Sequence, residues 1–240
     1  MAGLRDFTAL SFDCYGTLID WESGMMAGLA PLLDRLEAFP GRDAVLEAHA
    51  RHESAQQRQT PAMPYSSLLA VVYKRLAEEW RLQVSWDESV RYGQSVAAWP
   101  AFPDSREALA YLGRHYRLII LSNVDNASFA GSQARLGVAF DVVCTAEDIG
   151  HYKPDGRNFS YMMERLAPLG IGAETLLHTA ESMFHDHVPA AEAGLARCHI
   201  FRRHDKPGFG ATMTPASLPE PQFRFNSLAA MAEAHQQENA

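Results

Sequence analysis

The chain has 240 residues and a formal net charge of −8; 47% of its residues are hydrophobic and 21% are charged. These values fit a globular protein with one sizeable core or a core with an inserted smaller domain, and the acidic balance argues against a nucleic-acid partner. No apolar run approaches the roughly 20 residues that cross a membrane, and the first residues lack the apolar stretch of a signal peptide. The three cysteines have no metal-ligand spacing, so we expect reduced thiols and a cytoplasmic protein.

The first chemically informative stretch covers residues 8–20, where a short apolar run leads into Asp13 and a small turn with Gly16 and Thr17. An apolar, β-prone run of this length indicates a buried strand. Parallel α/β sheets place their chemistry at the carboxyl ends of strands, so Asp13 stands where a nucleophile would be displayed. An isolated acidic residue at this place would more often cap a turn, and the later motifs decide between the two interpretations.

Residues 22 to about 97 carry apolar side chains at helical spacing in four runs, and nothing in them indicates a strand. The Pro40-Gly41 pair separates the first run from the second, because both residues break helices. We therefore predict a helical cap domain over residues 19–97. The core domain would consist of residues 1–18 and 98–240.

From Trp99 onwards the chain alternates between short apolar strands and amphipathic helices. The predicted strands in this part are Leu118–Leu121, Phe140–Cys144, Thr175–Thr179, Arg197–Phe201 and Phe223–Phe225. Strands separated by helices of this length favour a doubly wound parallel sheet. The predicted fold class is therefore α/β, with a Rossmann-like parallel-sheet core and an inserted helical cap.

Polar residues stand at the ends of successive predicted strands. They are Asp13 with Thr17, Ser122 with Asn123, Lys153, and the stretch from Glu181 to Asp186. An acid, a hydroxyl, a lysine and a second acid in this order resemble the haloacid dehalogenase (HAD) superfamily. The resemblance covers nearly the whole chain and includes a helical cap inserted soon after the first motif. Each motif is weak alone, and it is the four in order that carry the resemblance.

Within the superfamily, the residue two positions after the nucleophile separates two kinds of chemistry. Phosphatases of the superfamily have an Asp there that protonates the leaving alkoxide, whereas this chain has Tyr15. A phenol with a pKa of about 10 is a poor acid at neutral pH, but a halide leaving group needs no proton. The L-2-haloacid dehalogenases in particular carry motifs similar to three segments of this chain, Asp13–Thr17, Leu121–Asn123 and Tyr152–Asp155.

The resemblance implies a hydrolysis in two steps. Asp13 would attack C2 of a 2-halocarboxylate, expel halide with inversion and form an ester, which water then hydrolyses at the Asp13 carboxyl carbon. Lys153 would keep Asp13 ionised and oriented, since a nearby cation favours a carboxylate. Thr17 would hydrogen-bond Asp13, and Asp186 would position or deprotonate the water. This scheme uses no metal and no other cofactor.

The same resemblance implies the substrate contacts. Ser122 and the adjacent backbone amides would bind the substrate carboxylate, and Asn123 would help to shape that part of the pocket. Tyr15 and Ser182 are further substrate-binding candidates. The dehalogenases also hold the carboxylate with an arginine from the cap, and we favour Arg51, which lies mid-helix among polar residues. An exposed arginine paired with a nearby glutamate is an equally good interpretation of that residue.

Three positions depart from the dehalogenase pattern. Glu181 and Met183 stand where the dehalogenases have Ser and Asn, and Phe159 stands where they have Tyr. Glu181 also lies where HAD phosphatases place a carboxylate of their Mg²⁺ site, so Asp13, Asp186 and Glu181 are the metal ligands of an alternative scheme. A Mg²⁺-dependent phosphatase or phosphotransferase acting on a small phosphoester is therefore the alternative function. A catalytically idle binding protein is a further alternative.

We expect the substrate to be a small anion, a short 2-haloalkanoic acid, beside an apolar wall to which Trp21, Tyr65 and Trp99 could contribute. Neither nucleic acid nor a membrane is expected as a partner. A homodimer formed through an apolar cap face is common in the family that the chain resembles. The sequence leaves the halogen, the chain length and the enantiomer open.

Overall fold

A computed structural model describes residues 3–239 and shows a six-stranded sheet at the centre of the molecule. The strands are β1 (Ala9–Phe12), β2 (Arg117–Ser122), β3 (Val142–Thr145), β4 (Leu176–Ala180), β5 (Ala196–Ile200) and β6 (Phe223–Phe225). Their order is β3-β2-β1-β4-β5-β6, and every neighbouring pair is parallel. The α/β fold with a parallel sheet is therefore as the sequence predicts.

Four helices fill most of the segment between β1 and β2, ahead of a fifth helix that directly precedes β2. They are α1 (Trp21–Leu33), α2 (Arg42–Gln59), α3 (Tyr65–Glu79) and α4 (Trp86–Gln94), and together we call them the helical insertion. Their buried side chains, including Leu46 and Leu68, belong to the same hydrophobic cluster as Leu10 and Phe12 of β1. The insertion is helical throughout, as predicted, and its division from the sheet as a separate domain stays a prediction.

The remaining helices cover the two faces of the sheet. They are α5 (Ser105–Leu112), α6 (Asn126–Leu136), α7 (Ala146–Ile149), α8 (Arg157–Leu166), α9 (Val188–Glu192) and α10 (Leu228–Glu238). Every residue of β1 and β4 is buried, as expected for central parallel strands with helices on both faces. None of the helices in residues 3–239 has the length and apolar character needed to cross a bilayer.

The sheet order fixes where a site can form. Strand β1 lies between β2 and β4, and Phe12 at its end is level with Ile120 and Thr179. In doubly wound sheets, ligands bind beyond the carboxyl ends of the strands at the point where the strand order reverses. Here that point lies beyond Phe12, at the start of the turn that contains Asp13.

Candidate active site

The turn after β1 holds Asp13 at the carboxyl edge of the sheet. The Asp13 backbone N–H donates to the carbonyl oxygen of Thr179 at 3.1 Å, which extends the β1–β4 pairing by one residue. Gly16 has a φ of +96°, and a Cβ atom added there would lie 2.9 Å from the indole nitrogen of Trp21. The turn therefore needs glycine both for its backbone conformation and for the close approach of Trp21.

Both oxygens of the Asp13 carboxyl group are held by hydrogen bonds. Lys153 Nζ donates to Asp13 Oδ1 at 2.9 Å, and Thr17 Oγ1 donates to Asp13 Oδ2 at 2.9 Å. The backbone N–H of Glu181 donates to Thr17 Oγ1 at 2.9 Å, which directs the Thr17 hydroxyl proton toward Asp13. Asp13 is only 6% exposed. Its carboxyl group is therefore fixed in one orientation while each oxygen keeps lone pairs for a further partner.

Lys153 is a buried cation shared by two acids. Its Nζ atom donates to Asp13 Oδ1 at 2.9 Å, to Asp186 Oδ1 at 2.7 Å and to the carbonyl oxygen of Leu121 at 2.9 Å. All three ammonium protons are thus engaged. Burial lowers the pKa of Lys153, but the carboxylates of Asp13 and Asp186 outweigh burial and raise it above its usual value. Lys153 therefore stays charged and supplies positive charge to both acids.

Asp186 has a second partner that the sequence did not reveal. His178 Nε2 lies 3.0 Å from Asp186 Oδ1, and His178 Nδ1 lies 2.9 Å from Ser11 Oγ. Because a carboxylate only accepts, Nε2 carries the proton in this contact. Burial raises the pKa of Asp186, but Lys153 and His178 together bring it well below its usual range. Among the residues that the structure describes, none hydrogen-bonds the buried Oδ2 of Asp186.

The two acids are not equivalent. Burial is the largest influence on Asp13 and raises its pKa; Lys153 opposes this effect and the Asp186 carboxylate adds to it. Asp186, with Lys153 and His178 as partners, is the more strongly stabilised anion. Environments that push two neighbouring acids apart in this way are typical of sites that give them different roles.

Ser122 and Asn123 are adjacent in sequence, but their side chains differ in their contacts. Ser122 is 1% exposed, and its Oγ atom has no partner among the described residues. Asn123 Nδ2 donates to the carbonyl oxygen of Lys153 at 3.0 Å, and the Lys153 backbone N–H donates to Asn123 Oδ1 at 2.6 Å. The Asn123 amide group thus holds the Lys153 backbone in place, a contact that the sequence did not predict.

Tyr15 lies in the wall of the site with its hydroxyl group engaged elsewhere. The Tyr15 hydroxyl is 2.8 Å from Ser132 Oγ on α6. Its ring packs against Trp99 at a centroid distance of 5.8 Å and against Tyr65 at 6.5 Å. Burial raises the pKa of Tyr15 well above its usual value. The phenol is therefore poorly placed and poorly suited to protonate a leaving group.

A small cavity, which we call the Asp13 cavity, lies beside these groups and has a volume of about 20 Å³. Seven predicted site residues line it: Asp13, Tyr15, Ser122, Asn123, Lys153, Ser182 and Asp186. Trp21 and Tyr65 form part of its wall, and Glu53 and His185 line it without having been predicted as site residues. Thr17 is connected to the cavity through its hydrogen bond to Asp13.

The prediction that Arg51 contacts the substrate needs correction. Arg51 lies on the exposed side of α2, where its Nη2 atom is 2.8 Å from Glu79 Oε1 and its side chain is 54% exposed. Of the other arginines considered, Arg35 pairs with Glu88, Arg42 pairs with Glu22, and Arg58 donates to Ser54. No arginine among the described residues lines the Asp13 cavity.

The alternative metal site formed by Asp13, Asp186 and Glu181 also needs correction. The Glu181 side chain lines a different cavity, together with Glu22 and Arg203, while Asp13 and Asp186 line the Asp13 cavity. Burial first, and then the carboxylates of Glu22 and Asp13, raise the pKa of Glu181 to about 8. Within residues 3–239, no three His, Cys, Asp or Glu side chains are grouped so that they could hold a metal ion. Glu181 therefore does not join Asp13 and Asp186 as the third carboxylate ligand that the alternative scheme requires.

The comparison with protein families identifies the class of this protein. The model of the haloacid dehalogenase-like hydrolase family matches residues 7–178, which include β1 to β3, the whole helical insertion and the first part of β4. The chain therefore belongs to the haloacid dehalogenase-like hydrolases. A comparison with curated protein sequences gave no match.

Solved structures of the same fold include several L-2-haloacid dehalogenases. One is similar to this chain at 22% identity with a TM-score of 0.76, covering 98% of this chain and 100% of its own. The L-2-haloacid dehalogenase from Xanthobacter autotrophicus, with chloropropionic acid covalently bound, shows 17% identity and a TM-score of 0.76, covering 96% and 98%. YfnB, a HAD-family protein from Bacillus subtilis bound to magnesium, shows 17% identity and a TM-score of 0.74, covering 98% and 99%. At these identities the likeness establishes the fold.

Proposed function

We propose that this protein hydrolyses carbon–halogen bonds, with Asp13 displacing halide from C2 of a short 2-haloalkanoic acid or a close derivative of one. A single arrangement carries the proposal. Asp13 is held by Lys153 and Thr17 as an oriented carboxylate, while the residue two positions later offers no acid, because the Tyr15 hydroxyl engages Ser132. A leaving group that departs as a stable anion suits such a site, whereas an alkoxide does not.

In the first step, an Asp13 oxygen attacks C2 of the substrate from the side opposite the halogen. The new C–O bond forms as the carbon–halogen bond breaks, and the halide departs with the bonding electron pair. The Lys153 ammonium, 2.9 Å from Asp13 Oδ1, keeps the nucleophile ionised before the attack. No proton moves in this step, so the site needs no general acid.

In the second step, water attacks the carboxyl carbon of the Asp13 ester. The acyl C–O bond breaks, the hydroxy product leaves with the oxygen that Asp13 contributed, and the water oxygen stays in the carboxylate. Asp186 Oδ2, which is buried beside the cavity without a partner among the described residues, is the acceptor that can orient this water. One proton of the water ends on the hydroxyl group of the product, and the other is released to solvent as the Asp13 carboxylate forms again.

Substrate entry requires movement of the helical insertion in this proposal. A volume of about 20 Å³ is close to the space that a single water molecule needs. A three- or four-carbon haloacid is several times larger, so the wall formed by Glu53 and Tyr65 of the insertion has to move away from Asp13. Closure over the substrate would then exclude bulk water from the first step.

The proposal is tested by measuring halide release from 2-chloroacetate, L-2-chloropropionate and 2-chloroacetamide in EDTA, with phosphate release from a phosphoester panel in Mg²⁺ as the comparison. We expect chloride release that persists in EDTA and disappears in Asp13→Asn. The Asp6→Asn variant, which changes an exposed aspartate far from the site, is the matched control. Phosphate release that depends on Mg²⁺, with no chloride from any of the three halides, would contradict the proposal and favour the phosphatase.

A further inference from the structure

The helical insertion places a carboxyl group, and not a cation, beside the catalytic acid. Glu53 of α2 is 5% exposed and lines the Asp13 cavity. Its Oε1 atom accepts hydrogen bonds from Gln57 Nε2 at 2.9 Å and from the Tyr65 hydroxyl at 3.1 Å. Both donors to Oε1 are neutral groups, and on the other oxygen His49 Nδ1 lies 3.3 Å from Glu53 Oε2. A buried acid supported in this way is costly unless a further partner shares the site.

The charged groups around the cavity are unfavourable for an anionic substrate. Three acids line it, Asp13, Glu53 and Asp186, against one cation, Lys153, whose three protons are already donated. His185 supplies no compensating charge, because burial lowers its pKa below the usual value. A substrate carboxylate entering here would meet the negative charge of Glu53 with no free cation to hold it.

A cationic groove lies next to the cavity but does not change this balance. Arg58, Arg157 and His151 line a groove of about 430 Å³ that shares Lys153 with the Asp13 cavity. Arg157 is bound to Asp155 at 2.6 Å, and Arg58 donates to Ser54 at 2.7 Å. None of these three groove residues lines the cavity that contains Asp13.

The same cavity contains a buried hydroxyl group without a partner among the described residues. This group is the side-chain hydroxyl of Ser122. Ser122 can donate a hydrogen bond to a carbonyl oxygen, and the Glu53 carboxyl group can accept one from an N–H group. A primary amide carries both groups on one carbon, whereas a carboxylate carries only acceptors.

We infer that Glu53 and Ser122 form a subsite for an N–H-bearing acyl group, so that the preferred substrate is a 2-halo amide and not a free 2-haloalkanoate. The inference rests on the proposed function, since Asp13 attacks the halogen-bearing carbon in both cases. In this inference, Glu53 determines whether the enzyme prefers an amide or a carboxylate at the acyl end of the substrate. It takes no part in the bond-breaking step.

The test compares chloride release from 2-chloroacetamide and 2-chloroacetate, two substrates of nearly equal shape that differ in charge and in hydrogen-bond donors. Release is counted only where Asp13→Asn abolishes it. We expect wild-type kcat/KM to favour the amide by roughly tenfold or more, because the carboxylate would pair with Glu53 as a like charge. Glu53→Gln, which keeps the shape and the acceptor for Gln57 and Tyr65, should reduce this amide-to-acid ratio by about tenfold. Glu47→Gln, an exposed acid on the same helix, should leave the ratio unchanged.

Each outcome separates the two proposals. A wild-type preference for 2-chloroacetate, or an amide-to-acid ratio that Glu53→Gln does not change, would overturn the inference while the dehalogenase proposal stands. A purely structural role of Glu53 would lower kcat/KM for both substrates equally and is excluded by a change in the ratio. Absence of Asp13-dependent chloride from both substrates would contradict the proposed function, and the inference would fall with it.

Discussion

Removal of the Lys153 ammonium group should destabilise the protein in a way that depends on pH. In Lys153→Met, the carboxyl groups of Asp13 and Asp186, which are 6% and 0% exposed, lose the cation that lies 2.9 Å and 2.7 Å from their oxygens. Breaking a buried ion pair by removing one partner costs about 3–5 kcal/mol, because the remaining charge stays desolvated. Here two acids share the loss, so we expect a decrease in the free energy of unfolding near the upper end of that range at pH 7.

The pH dependence follows from where the proton goes. Without Lys153, one of the two acids takes up a proton in the folded variant, and its pKa rises above the value of about 3.9 that it has in the unfolded chain. The folded variant then binds more protons than the unfolded chain above about pH 4, so its stability falls as the pH rises. In the wild type, the lowered pKa of Asp186 contributes stability above about pH 4 that is lost only as the pH falls through the folded value. The difference between variant and wild type should therefore shrink by about half or more between pH 7 and pH 4.5.

Urea unfolding at pH 4.5 and pH 7 measures this difference directly. Lys74→Met is the control, because Lys74 is exposed and its Nζ atom lies 3.9 Å from Glu78 in an i, i+4 pair. We expect the control to lose no more than about 0.5 kcal/mol at either pH. An equal loss at both pH values for Lys153→Met, or a loss no larger than that of the control, would refute the reasoning.

Two further predictions concern groups close to the site. Tyr15→Phe removes a hydroxyl that contacts Ser132. We expect the stability measured by urea unfolding to fall by about 1 kcal/mol, and the rate of halide release to change by less than about threefold. A large loss of rate would show that the phenol acts as an acid. Glu181 has a pKa raised to about 8, so the folded protein keeps its proton while the unfolded chain loses it near pH 4, and stability falls between those values. Glu181→Gln should reduce this fall, measured by unfolding at pH 5 and pH 8.5, by about 1 kcal/mol after allowance for partial exposure; an unchanged slope would contradict the assignment.

The residues at strand ends could be predicted because topology alone brings them together. Asp13, Ser122, Lys153 and Asp186 lie near the carboxyl edge of one parallel sheet, and any doubly wound sheet with these strands collects them there. The order and spacing of the motifs along the chain are sufficient for this prediction, because a short loop after a strand keeps its residues close to the end of that strand. The polar residues at this edge of the sheet could therefore be predicted from the sequence.

The contribution of the helical insertion could not be predicted in the same way. Arg51 and Glu53 are two residues apart on α2, which places them about 200° apart around the helix. Which of them faces Asp13 depends on how α2 packs, and the polar residues around both gave no periodic signal for it. The result is an acid in the cavity where the sequence suggested a cation, with Glu53 buried and Arg51 exposed.

Two residues close to Asp186 in the sequence show that side-chain positions within one short segment could not be predicted either. Glu181 precedes Asp186 by five residues, yet it lines a different cavity: Asp186 lies within the π-helical turn Met183–His187, whereas Glu181 lies before that turn. His178 contacts Asp186 from the middle of β4, where the sequence shows a histidine within an otherwise apolar strand. A histidine at a buried strand position is the signal in the sequence that could have indicated such a contact. The register of β4 against β1, which places His178 beside Ser11, is known only from the structure.

The central claim, that Asp13 forms a covalent ester, is tested most directly by isotope transfer in a single turnover. The enzyme, in excess over 2-chloroacetamide or 2-chloroacetate, reacts in H₂¹⁸O, and the peptide containing Asp13 and the hydroxy product are both weighed by mass spectrometry. We predict that the Asp13 peptide gains about 2 mass units while the product carries no label, because the product oxygen comes from Asp13 and water replaces it in the carboxylate. Label in the product with an unlabelled Asp13 peptide would show direct attack by water on C2 and would contradict the account.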